Sequence, residues 1–129
     1  MKTIMLVEDN EDNRLLVQAI LADDFRLTVY ESGIEALKGL HLSRPDLVLL
    51  DVSLPGKDGV QVVHEIREDP ELASLPVIAL TAHAMLGDRE RFLAEGFDGY
   101  VAKPLVDEDD LLEEINRLIG RVSVLEGNN

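Results

Sequence analysis

Five short apolar runs recur along the chain, and a segment of helical period follows each of them. The runs are TIMLVE (residues 3–8), LTVYE (27–31), DLVLLD (46–51), PVIALT (76–81) and GYVAK (99–103). The first, third and fourth are continuously apolar rather than alternating, as befits parallel strands covered on both faces. Over residues 13–22, Leu15, Leu16, Ala19 and Ile20 form an apolar stripe at helical spacing. Ser32 and Glu35 stand at capping-box spacing before a second helix, with Ile34, Leu37 and Leu40 expected inward and Gly39 weakening it. Asp58 is placed to cap a third, whose buried side is Val60, Val63 and Ile66 or Val62. The fourth, 86–95, has a thin apolar face of Phe92 and Leu93 and stops at Gly96. The last, 107–119, turns Leu111, Leu112, Ile115, Leu118 and Ile119 to the core and ends at Gly120. Alternation of this kind predicts an open α/β fold, a doubly wound sheet of five parallel strands with right-handed crossovers and five helices.

The 129 residues, 46% of them hydrophobic, suit one domain, expected over 1–120 with 121–129 as a short frayed tail. With no cysteine, disulfides, thiolate metal sites and cysteine nucleophiles are excluded. No apolar run approaches the roughly 20 residues that span a bilayer. The first residues are too short and too weakly basic for a signal peptide, so a cytoplasmic protein without membrane insertion is expected. The formal net charge of -14 repels nucleic acid and anionic lipid and leaves cations and basic protein surfaces as partners.

Open parallel sheets bind ligands at the carboxyl ends of their strands, near the point where strand order reverses. Those ends carry Glu8 and Asp9 after the first run, Asp51 after the third, Thr81 after the fourth and Lys103 after the fifth. In the order 2-1-3-4-5 the first and third strands are neighbours, about 4.8 Å apart, which brings Asp9 and Asp51 together. Two carboxylates at about 4 Å repel by roughly 4 kcal/mol at an effective dielectric near 20, and Glu8 adds to this. Such a cluster needs a proton or a cation, and Mg²⁺ suits a few carboxylates while keeping several waters. A carboxylate with a metal on one side and a hydroxyl and an ammonium on the other suits phosphoryl transfer. Asp51, emerging directly from the apolar run, is the candidate nucleophile, with metal and Lys103 offsetting charge on the transferred oxygens. Pro55, Gly56 and Gly59 fold the following loop back beside the metal.

LVEDN (6–10), LVLLDVSLPGKDG (47–59), VIALTAHA (77–84) and GYVAKP (99–104) together resemble the receiver domain of two-component response regulators. The resemblance spans nearly the whole chain and implies a flavodoxin-like fold of stand-alone type, without an effector domain. It further implies that Asp51 accepts a phosphoryl group from a phosphohistidine of a histidine kinase or phosphotransfer protein, in a receiver that acts by docking or as a phosphorelay intermediate and not as a turnover enzyme. Glu8 and Asp9 match the acidic pair that holds Mg²⁺, together with Asp51 and the backbone carbonyl of Ser53. Thr81 matches the hydroxyl that moves to the phosphoryl group, Tyr100 the aromatic that follows it inward, and Lys103 the phosphate-binding lysine. The Lys103–Pro104 bond is expected to be cis. Phosphorylation is expected to change a docking face made by the fourth helix, fifth strand and fifth helix. Glu8 stands where many relatives have Asp. Ser53 and His83, two positions beyond Asp51 and Thr81, match positions that tune phosphoryl lifetime.

Plainer readings stand beside these. Asp51 taken alone is a strand-end cap, Thr81 a β-branched strand residue and Tyr100 a packing residue. Asp12 reads as a solvated helix-start residue and Asp58 as a cap. His41, His64 and His83 show no ligand spacing. Flavin binding is rejected because the EDNEDN loop would repel a phosphate. An aspartyl phosphatase places a second Asp two residues beyond its nucleophile, where this chain has Ser53. The remaining competitor is an interaction module that is never phosphorylated.

Overall fold

The computed structural model describes residues 1–82, 88–103 and 108–127, with side chains given for all of these but 108 and 120–127. Its elements are β1 (Thr3–Val7), α1 (Glu11–Leu21), β2 (Arg26–Tyr30), α2 (Gly33–Leu42), β3 (Leu47–Asp51), α3 (Gly59–Glu68), β4 (Val77–Thr81), α4 (Asp88–Glu95), β5 (Gly99–Ala102) and α5 (Glu108–Gly127). The strands pair in parallel in the order β2-β1-β3-β4-β5, as expected. The continuous apolar runs have a direct structural use, because successive side chains feed opposite faces of the sheet. Met5, Val7, Val48, Leu50, Val77 and Ala79 enter one core with Ala36, Val63, Ile66 and Phe92. Ile4, Leu6, Leu47, Leu49, Ile78 and Leu80 enter the other with Val17, Leu21, Leu111 and Ile115.

Helix starts follow their capping chemistry. Asn10 accepts from the Asn13 amide, Ser32 from Glu35, and Asp58 forms a full capping box with Gln61. Gly96, at φ 114, ends α4 in a conformation that L side chains avoid.

Four expectations need correction. On α4, Phe92 is buried but Leu93 is 45% exposed. On α1, Leu15 (56% exposed), Leu16 (39%) and Ala19 face solvent, and Val17 and Leu21 are buried instead. The stripe was read from residue type alone, and with two interleaved apolar sets on one helix the period does not choose between them. On α2, Ile34 is 53% exposed, while Ala36, Gly39 and Leu40 face inward. Gly39 is not merely a weak point, since a Cβ there would lie 2.3 Å from the Tyr30 hydroxyl. Finally, α5 continues past Gly120 to Gly127; a glycine permits a helix stop but does not compel one. The expectations for His83, Leu86 and the Lys103–Pro104 bond lie outside the described residues, which omit 83–87 and 104–107.

Candidate functional site

The registers of β1, β3, β4 and β5 bring their carboxyl ends to one edge. Val7 pairs with Leu50, Asp51 with Leu80, and Thr81 with Ala102. One residue further along, Glu8 and Lys103 arrive beside Asp51. Carboxylate oxygens of Glu8, Asp9 and Asp51 lie within 4.8 Å of one another. The Lys103 ammonium sits between two of them, 3.1 Å from Glu8 Oε1 and 3.2 Å from Asp51 Oδ2. Asp51 is buried and Glu8 fully so. Asp9 is exposed. Thr81 is buried, and its carbonyl accepts from the Lys103 amide at 2.7 Å. Tyr100 is half-buried and packs on Phe92 with ring centroids 5.7 Å apart.

The loop after β3 explains why a buried run ends on an acid and then turns. The Val52 amide donates to Leu80 and the Gly59 amide donates back to Val52, closing the loop on its own strand. Gly56 takes a positive φ of 72. At Gly59 a Cβ would lie 2.4 Å from the Asp51 carbonyl oxygen, so only glycine allows α3 to start that close. Exposed Ser53 donates its amide to Asp51 Oδ1 at 2.9 Å. Both oxygens of Asp51 are thereby oriented, one by an amide and the other by an ammonium.

Electrostatics follow from burial. Glu8 is raised from 4.5 to about 7, first by desolvation and then by its hydrogen bond and charge repulsion with Asp51. The Asn10 amide and Lys103 pull the other way but do not offset the rise. Desolvation opposes the charge on Lys103, yet Asp51 and Glu8 outweigh it and hold the pKa above its usual 10.5. The expected acid repulsion is thus present, with desolvation the larger cause. Three oxygen donors from two neighbouring strand ends suit a hard divalent cation, which would offset both penalties.

Two residues that the sequence reading passed over also build this site. Asn10 donates its amide to Glu8 Oε2 at 3.2 Å. Arg14 reaches back from α1 to donate Nη1 to the Glu8 carbonyl at 3.1 Å. Nothing in the order of residues signals either contact.

Comparison with known proteins identifies the family. The family model for the response regulator receiver domain matches residues 4–116. The polar-differentiation response regulator DivK of Brucella anthropi is 41% identical over 105 residues, covering 81% of this chain and 85% of that protein. The receiver domain of a sensor histidine kinase from Pseudomonas aeruginosa, solved with magnesium coordinated in its active-site cleft, is 38% identical with a TM-score of 0.83. That alignment covers 92% of this chain and 98% of the other. The Mn²⁺-bound form of the response regulator Rcp1 is 31% identical with a TM-score of 0.76, covering 90% and 92%. With the family model spanning most of its length and the fold shared with these solved receivers, the chain belongs to the receiver domains of response regulators.

Proposed function

We propose that Asp51 is the phosphoacceptor of this receiver and that Glu8, Asp9, Asp51 and the Ser53 carbonyl hold the Mg²⁺ its chemistry requires. One observation carries the reading: a buried aspartate at a strand end has one oxygen on an amide, the other on Lys103, and two further acids beside it. An Asp51 carboxylate oxygen attacks the phosphorus of a phosphohistidine, the P–N bond breaks, and the imidazole nitrogen leaves with the electron pair and takes up a proton. The product is an acyl phosphate on Asp51. When bound, a divalent cation held by these residues would supply charge neutralisation for the transferred oxygens. Lys103, 3.2 Å from Asp51 Oδ2, is placed to pass from the carboxylate to a phosphoryl oxygen. Thr81 donates its hydroxyl to the same group, and Tyr100 follows it inward. The donor is a histidine kinase or histidine phosphotransfer protein of the cytoplasm.

Output goes through the α4–β5–α5 face, where a cavity of about 330 Å³ is lined by Arg89, Tyr100, Asp110 and Glu113 among others. Phosphorylation shifts a pre-existing equilibrium of this face. Incubation with a small phosphodonor and Mg²⁺ tests the reading. The native chain gains the mass of one phosphoryl group and Asp51→Asn does not; an equal gain in the variant, or none in the native chain, favours the unphosphorylated interaction module.

A further inference from the structure

We propose that Arg14 is a positioning residue for the metal-binding carboxylates, its guanidinium fixing the strand-to-helix turn that carries Asp9. The inference rests on the reading of the acid cluster given above and concerns how that cluster is held.

Asp9 is exposed, and its place depends on the backbone on either side of it. On one side, Glu8 is tied at its amide to the Tyr30 carbonyl at 3.0 Å and at its carbonyl to Arg14 Nη1 at 3.1 Å. On the other, the Asn10 amide donates to Glu8 Oε2 at 3.2 Å, and the Asn10 carbonyl accepts from the Arg14 amide at 3.0 Å. Arg14 therefore engages the chain both before and after Asp9, once through its side chain and once through its backbone. The second arm of the guanidinium, Nη2, lies 3.2 Å from Glu31 at the end of β2. Arg14 is largely buried, with a side chain 16% exposed, whereas Glu31 is 69% exposed and only weakly restrains it. A fork with two donors can span a carbonyl on one strand and a carboxylate on the next; a lysine offers a point charge without that planar fork.

The proposal and plain electrostatics predict opposite signs. Removing a cation near three acids strengthens Mg²⁺ binding if charge alone matters, and weakens it if the cation holds the turn. Calorimetric titration of the full chain with MgCl₂ decides between them, using the native protein, Arg14→Met and Arg14→Lys, with thermal melts to verify folding. Positioning predicts that Arg14→Met binds Mg²⁺ about tenfold more weakly, the scale of one hydrogen bond from a charged donor. Arg14→Lys, which retains the charge, also binds more weakly. Arg14→Met binding as tightly as the native chain or more tightly overturns the proposal. If Arg14→Met does not fold, Arg14→Lys decides alone, with unchanged affinity the overturning result. A native chain that takes up no Mg²⁺ removes the metal site itself, and the inference falls with it.

Discussion

Glu8→Gln should abolish a pH dependence of stability that the native chain shows in the absence of metal. The folded pKa of Glu8 is raised from 4.5 to about 7, which corresponds to about 3 kcal/mol. The folded state holds this proton more tightly than the unfolded chain does. Stability from this group is therefore intact below about pH 4.5, falls as pH rises through the window to about 7, and stays reduced above it. Glutamine cannot ionise, so the variant lacks this component. Its altered contacts with Lys103 and Asn10 add a constant offset that cancels when the difference between proteins is followed against pH. Urea unfolding in chelator at pH 4.5, 6, 7 and 8 (chosen at about the two limits and between them) measures that difference. The variant should gain about 3 kcal/mol on the native chain across the series. The hydrogen bond and charge of Asp51 contribute to the rise at Glu8, so Asp51→Asn should flatten the native curve in part, leaving the contribution of burial. A native-minus-variant difference that does not change with pH would show that Glu8 ionises normally despite its burial, and the electrostatic reading of the cluster would be wrong.

Other consequences concern metal, framework and surface. In chelator at pH 8, Asp51→Asn should melt higher than the native chain by roughly 3–6 °C, about 1 kcal/mol, whereas Mg²⁺ should raise the melting point of the native chain more than that of the variant; scanning calorimetry with and without Mg²⁺ reads both. Arg67 donates to the carbonyls of Gly96, Ala73 and Leu75 and to Asp98, which also accepts from the Val77 amide. Arg67→Ala should therefore cost about 2–3 kcal/mol in urea unfolding, and a cost under about 0.5 kcal/mol would mean the network contributes nothing net. Since Leu15 faces solvent while Val17 is buried, Leu15→Gln should stay within about 0.5 kcal/mol of native and Val17→Ala should lose about 1–3 kcal/mol. Reversal of that order would restore the stripe first read from the sequence.

What the sequence made legible was what depends on strand ends. Short continuous apolar runs read directly as parallel strands, and a strand fixes its last residue to within a position, so Glu8, Asp51, Thr81 and Lys103 could be gathered at one edge before any coordinate was known. Helix faces were less legible. On α1 the residues Leu15 and Leu16 compete with Val17 and Leu21 for the inward face, and only the angle at which the helix lies on the sheet decides. Contacts made by long side chains to distant backbone were not legible at all. Nothing in the order of residues says that Arg14 turns back to the Glu8 carbonyl, or that Arg67 reaches Gly96. Nor did the bare list of acids rank them by burial. Glu8 is fully buried, with one carboxylate oxygen 3.1 Å from the Lys103 ammonium and the other accepting from the Asn10 amide.

Phosphoryl transfer to Asp51 is tested most directly by locating the acyl phosphate. Borohydride reduces an acyl phosphate to an alcohol and so converts a phosphorylated aspartate into homoserine, which tandem mass spectrometry of peptides places at a single residue. After treatment with a phosphodonor, homoserine should appear at position 51 when Mg²⁺ is present and be lost when it is chelated. Homoserine at position 9 or 58 in place of 51, or an intact aspartate at every position, would contradict it.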